Sequence, residues 1–126
     1  MSGYCFDADI LIDALLGRDP ARSELRRATS GGARAWISRL TWVEVMSRCA
    51  PDALHATEMF LSGFAVDEID EEIAGRAATL RRERPRLGKP DAIVLASALV
   101  RGRVLVTRNT RDFPAAMPGI RIPYTL

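Results

Sequence analysis

Residues 89–107, KPDAIVLASALVRGRVLVT, hold a helix and a strand in nineteen letters, and their reading decides the fold. Pro90 sits where a helix tolerates proline, in the first turn, and Gly102 stands just past the last apolar residue. Between Ala92 and Val100 only Ser97 is polar. A helix apolar on every face is a buried helix, so its first turn, with Asp91 in it, is expected inside the molecule. The strand that follows, RVLVT (103–107), is a short continuous apolar run, the form of a strand covered on both faces.

Working outward, the same alternation recurs. GYCF (3–6) reads as a strand and ADILIDALLG as a helix that stops near Gly17. PARSELRRATSG reads as a second helix, with Pro20 in its first turn and Gly31 beyond its end. RAWIS (34–38) is a strand, LTWVEVMSRC a helix, and PDALHATEMFLSGF another helix opened by Pro51. FAVDEI is a third strand. Asp70 caps EEIAGRAATLRRER, whose acids lead and whose arginines trail, as the helix dipole favours. IRIPY (120–124) is an edge strand limited by Pro123. Strands alternating with helices predict an α/β fold with a mainly parallel central sheet. In such sheets, sites form beyond the carboxyl ends of the strands.

Composition narrows the function. The chain has 126 residues, 48% hydrophobic and 27% charged, which suits one domain of ordinary globular character. No apolar stretch reaches the ~20 residues of a membrane-spanning helix. No secretory signal is visible at the start, so a cytoplasmic location is expected. Cys5 and Cys49 match no zinc spacing and lie among apolar residues, where inert buried thiols are common. His55, the single histidine, suits a partly exposed structural place on a helix. Any catalysis therefore falls to carboxylates. Net charge is only +2, but 17 of the 18 basic residues are arginine, with Lys89 the exception. Arginine's planar fork suits phosphate, although a GC-rich genome favours arginine codons just as well.

Four acids occupy comparable positions, and a fifth, Asp9, lies beside the first. Asp7 follows the first strand, and Asp9 opens the helix after it. Glu44 lies between Val43 and Val45 just after the second strand, Asp91 opens the apolar helix, and Asp112 follows VLVT. Singly, Asp7 and Asp91 are explained as N-cap or first-turn acids, Asp112 as a turn former and Glu44 as a solvent-facing residue. Gathered at one sheet edge, they repel one another and raise at least one pKa, and a cation offsets that repulsion. An all-oxygen set without histidine or cysteine suits Mg²⁺ or Mn²⁺. Such an ion serves hydrolysis of a nucleic-acid backbone.

At these residues the sequence resembles the PIN-domain ribonucleases, in particular the VapC-type toxins of toxin–antitoxin pairs. FDADILID (6–13), TWVEV (41–45), KPDAIVLASAL (89–99) and VLVTRNTRDF (104–113) occur in the family's order and span most of the chain. The resemblance implies a PIN-like three-layer fold over residues 1–126 and a divalent-metal-dependent endoribonuclease. It also implies an acidic quartet of Asp7, Glu44, Asp91 and Asp112, with Asp7 and Asp91 as principal metal ligands. Thr107 and Asn109 would orient the acids by hydrogen bonds. Asp9 replaces the family's usual asparagine or serine, and either reaches the metal through water or serves the helix N-terminus. Implied partners are an RNA substrate, a VapB-type antitoxin and a second copy in a homodimer.

Arg108 and Arg111 flank Asn109, and Arg86 and Lys89 belong to the run LRRERPRLGKP (80–90) just before Asp91. All four are candidates for gripping RNA or the antitoxin, while the run equally suits a helix C-terminus and a solvated loop. Trp36 and Trp42 suit core or dimer packing better than base stacking. Three rivals remain. A catalytically silent PIN-like interaction module would keep the fold alone. A small phosphatase shares the Asp-x-Asp of FDAD, but Ile10 and Leu11 replace the turn and threonine expected there. A phosphorylation-receiver domain needs a lysine at a late strand end, and Lys89 precedes a helix instead.

Overall fold

A computed structural model of the chain describes residues 3–114 and 116–126. Five strands form one sheet: β1 (Tyr4–Phe6), β2 (Ala35–Ser38), β3 (Ala65–Asp67), β4 (Val104–Val106) and β5 (Ile120–Arg121). Their spatial order is β3-β2-β1-β4-β5, and every neighbouring pair is parallel. Six α-helices connect them: α1 (Ala8–Leu15), α2 (Asp19–Ala28), α3 (Arg39–Arg48), α4 (Leu54–Leu61), α5 (Glu71–Glu83) and α6 (Lys89–Val100). This is the expected α/β architecture. The segment opened by Pro51 begins as a single 3₁₀ turn, Pro51–Ala53, before α4.

Alternation along the strands divides the core in two. Cys5 and Leu105 face α5 and α6, packing with Ile73, Leu80, Val94, Leu95 and Phe113. Phe6 and Val106 face the other way, toward Ile10 and Leu11 of α1, Val45 of α3 and Leu61 of α4. Helices thus cover both faces, giving three layers, as the short apolar strands require. Burial of one leucine or valine side chain contributes about 1.5–3 kcal/mol, and α6 alone buries Val94 and Leu95 with four small residues. Burial also pushes the Cys5 thiol up to about 12, which leaves it unreactive.

Local signals set the helix ends. Asp70 accepts the Ile73 amide at 2.9 Å and caps α5. Gly17 and Gly102 close α1 and α6 at φ of 83° and 69°, a region costly for any residue with a Cβ. Arg81 donates to the carbonyls of Pro85 (3.1 Å) and Leu87 (2.7 Å), tying down the loop after α5. Trp42 packs on the second core, and Trp36 lies under the Arg103 guanidinium, 3.6 Å from the ring centre. His55 is exposed on α4. Among the described residues no helix is long and apolar enough to cross a membrane.

Candidate active site

β1 and β4 are neighbours in the sheet, but the connections leaving their carboxyl ends run to opposite sides, which opens a crevice between them. Asp7 leaves β1 at this point. Its amide donates to the Val106 carbonyl of β4 at 2.9 Å, and its Oδ1 accepts the Ala8 amide at 2.8 Å, so Asp7 is the N-cap of α1. The other oxygen, Oδ2, accepts from Thr107 Oγ1 at 2.8 Å, directly after β4. Asp7 is thereby pinned between two strand ends.

Glu44 reaches the same crevice from α3, whose N-cap is Ser38 at the end of β2. Asp91 reaches it from the first turn of α6. Together with Asp9, Arg48, Arg108, Asn109, Thr110 and Arg111 they line a cleft of about 510 Å³. Asp112 adjoins it beside Asp91, close enough for its charge to raise the Asp91 carboxyl. Asn109 Nδ2 donates to Asp112 Oδ2 at 3.0 Å, and the Asp112 amide donates back to Asn109 Oδ1 at 3.3 Å. The expected interior start of α6 is only half true. Ala92 and residues 94–98 are buried and Ile93, Leu99 and Val100 partly so, but Asp91 is half-buried and opens on the cleft.

Electrostatics follow from this crowding. Burial, and then the charges of Asp7, Asp112 and Glu44, push the Asp91 carboxyl up to about 6. Burial and the Asp7 charge push Asp9 up to about 7, against the pull of the Arg108 amide and guanidinium. Asp7 is raised by burial, partly offset by the Thr107 and Ala8 hydrogen bonds and the Arg48 charge. Glu44 is raised by burial and Asp7, again against Arg48. Asp112 runs the other way, held low first by its hydrogen bond from Asn109.

Asp9 does not cap α1, since Asp7 holds that place. Its Oδ2 turns across to the β4 side, accepts the Arg108 amide at 3.2 Å and lies 3.3 Å from Thr107 Oγ1, whose single proton goes to Asp7. Its Oδ1 is buried without a hydrogen-bond partner. An orphaned carboxylate oxygen is costly unless something positive or protic meets it. With an all-oxygen donor set around it, the cleft fits a hard divalent cation. Among the described residues no three acid, histidine or cysteine groups stand in a ready-made ligand cage. The acids frame the cleft from several elements without converging on one point.

The basic candidates separate. Arg111 is 89% exposed at the cleft, 3.4 Å from Asp112. Arg108 borders the cleft, but its guanidinium is committed to Asp13, with Nε at 2.6 Å and Nη2 at 3.0 Å. Arg86 is exposed in the loop before α6 and takes no part in lining the cleft. Lys89 lines a separate apolar groove between α5 and α6. Two residues at this site escape a reading by motif. Arg48, one helical turn after Glu44, is the cation whose charge steadies Asp7 and Glu44. Asp13 lies one turn after Asp9 in an otherwise apolar helix, and that spacing was the available signal.

Fold and site together define an α/β protein with a carboxylate-lined cleft at the carboxyl edge of a parallel sheet. The PIN domain family matches residues 4–116. Ribonuclease VapC19 of Mycobacterium tuberculosis is 30% identical over 122 residues, covering 94% of this chain and 97% of the relative. The tRNA(fMet)-specific endonuclease VapC of Salmonella typhimurium is 34% identical over 99 residues, covering 71% of this chain and 74% of that one. Among solved structures, a chain of a toxin–antitoxin complex from Klebsiella pneumoniae superposes with a TM-score of 0.85 at 39% identity. That match covers 98% of this chain and 99% of the other. The chain belongs to the PIN-domain family, and its relatives there are VapC ribonucleases. Neither the Asp-x-Asp phosphatase nor the receiver domain is the family of this chain.

Proposed function

We propose that residues 1–126 form one PIN-like domain that hydrolyses RNA phosphodiester bonds, as the toxin of a VapBC-type toxin–antitoxin pair in the cytoplasm. The observation that carries the reading is the meeting of Asp7, Asp9, Glu44 and Asp91 in one cleft, with Asp112 alongside. Relatives that are ribonucleases support it, and so does the chain from a toxin–antitoxin complex at 39% identity.

Asp7 and Asp91 would hold Mg²⁺ or Mn²⁺, with Glu44 and Asp112 completing the acidic wall. Bound there, the ion supplies polarisation of water and neutralisation of the charge that develops on the phosphate. The chain's own residues do the rest. Thr107 fixes the Asp7 carboxylate by its 2.8 Å hydrogen bond, and Asn109 fixes Asp112. Arg48 and Arg111 face the cleft as point contacts for RNA phosphates. Water attacks phosphorus in line with the leaving oxygen, and the opposite P–O bond breaks. Glu44, raised by burial and by Asp7, takes the proton that the water sheds, and the departing oxygen takes up a proton from solvent to leave as a hydroxyl. A VapB-type antitoxin covering the cleft and a homodimer complete the assembly.

The test is direct. Purified protein incubated with RNA should cut it with Mn²⁺ or Mg²⁺, and cutting should cease with EDTA. Intact RNA in the presence of either metal would remove the ribonuclease reading and leave the silent interaction module.

A further inference from the structure

Asp13 is buried, with 1% of its side chain exposed, yet it forms no part of the cleft lining. It stands one turn after Asp9 on α1, so the two acids share a helix face. That face meets the segment following β4 at two points. Asp9 accepts the Arg108 backbone amide at 3.2 Å, and Asp13 accepts the guanidinium of the same residue through both of its oxygens, at 2.6 and 3.0 Å. A third element closes the arrangement: the Tyr124 hydroxyl, beyond β5, donates to Asp13 Oδ2 at 2.7 Å. Parts of the chain 95 and 111 residues from Asp13 therefore meet on one carboxylate.

The segment held in this way carries Thr107, Asn109 and Asp112. Thr107 orients Asp7, Asn109 orients Asp112, and Asp112 stands beside Asp91. We infer that Asp13 is a positioning residue for the acidic cleft: through the Arg108 guanidinium and the Tyr124 hydroxyl, it fixes the 107–112 segment against α1. Arg108 accordingly works inward, as a strut, and not outward on RNA. The geometry demands both a carboxylate and a guanidinium. Asparagine at 13 presents an NH₂ where one donor needs an acceptor, and lysine at 108 keeps the charge but cannot occupy both oxygens.

The cleavage readout of this proposal rests on the ribonuclease reading, whereas its metal-binding readout stands apart from it. Asp13→Asn, Arg108→Lys and Tyr124→Phe are made in the full chain. Each is assayed for cleavage of a fluorophore–quencher RNA oligonucleotide with Mn²⁺, for Mn²⁺ affinity by calorimetry, and for thermal midpoint. Asp13→Asn and Arg108→Lys should lower kcat by about 10- to 100-fold with KM within about twofold, because misplacement of the segment acts on the reacting geometry. Their Mn²⁺ affinity should weaken by about tenfold, as when groups supporting metal ligands are lost. Tyr124→Phe, which removes one hydroxyl, should lower kcat by about threefold.

A lowered midpoint with wild-type kcat and Mn²⁺ affinity would reduce Asp13 to a structural residue and overturn the proposal. An Arg108→Lys variant with KM raised tenfold and kcat unchanged would place Arg108 on RNA and overturn it as well. Should Asp13→Asn fail to fold, Tyr124→Phe decides on the same criteria. If the wild-type protein cuts no RNA, the ribonuclease reading falls, and the Mn²⁺ titrations alone decide the role of Asp13.

Discussion

Glu24 and Asp91 are both carboxylates on helices of the same small protein, yet their surroundings are opposite. Glu24, 5% exposed on α2, accepts from Arg27 at 3.1 and 2.7 Å and from Arg121 at 2.7 and 3.1 Å. Burial opposes its charge, but the two guanidinium forks hold its carboxyl down at about 2. Asp91 faces other acids and is pushed up to about 6. This chain, rich in arginine, pairs the buried acids that lie outside the cleft lining with guanidinium groups: Asp13 with Arg108, Asp67 with Arg103, and Glu24 with two partners. At the cleft, Arg48 and Arg111 offset the acids only in part, and the charges that act on Asp91 are those of other acids. On the proposed reading, the difference marks the place of the divalent cation.

The comparison can be broken at four points. The largest effect belongs to Asp91→Asn, which should reduce RNA cleavage by about 1,000-fold or more while leaving the thermal midpoint unchanged or raised, because a repelling charge is gone. A variant that cuts RNA normally would sever the cleft from the chemistry. Next, Mn²⁺ at about 100 times its Kd should stabilise the protein by about 2.7 kcal/mol in a denaturant melt, and Asp7→Asn should abolish that gain. An equal gain in the variant would mean that the ion binds elsewhere.

On the other side of the comparison, Glu24→Gln should cost about 1–3 kcal/mol of stability, between an exposed pair and the roughly 3–5 kcal/mol of a fully buried one, because both arginines are partly exposed. Its cleavage rate should match the wild type when assayed well below the melting temperature. Loss of cleavage without loss of stability would erase the distinction between the two kinds of acid. The smallest effect is on pH. The folded-state value of Asp91, about 6, lies above its ordinary 3.8, so the folded protein holds that proton more tightly. Stability in EDTA should therefore fall as pH rises through that window, by about 1 kcal/mol after discounting solvent screening. Glu24 has the opposite sign: its contribution is complete above 4.5 and is lost as pH falls toward about 2. Urea melts across this range should show a maximum near pH 4.5–5. A curve rising steadily to neutrality would contradict the raised carboxyl groups.

Much of this was legible in the letters, for identifiable reasons. The apolar run of α6 admits only burial, and the acids and arginines of α5 announce its direction, so those elements fall where pattern requires. The meeting of Asp7 and Glu44 follows from their places after strands of a parallel sheet, and that of Asp91 from the first turn of α6, the helix that runs back to β4. What escaped reading was partnership. Nothing local to Arg108 says that its guanidinium turns back to an acid 95 residues earlier, and flanking Asn109 gave it the look of an RNA contact. Lys89 is two residues from Asp91 in sequence, but successive helix positions point to different faces, so it lines a different groove. The doubled acid of FDAD was visible, while the hydrogen bond that Asp9 accepts from Arg108 depends on a segment 99 residues away.

The margins of the sheet bear on how such a protein meets others. One border strand, β3, has three residues and the other, β5, has two, with Pro123 shortly after. Borders so brief offer almost no free main-chain ladder for another polypeptide to extend. Helix surfaces and the cleft, where side chains set the specificity, are therefore better suited to contacts with other chains than the sheet borders are.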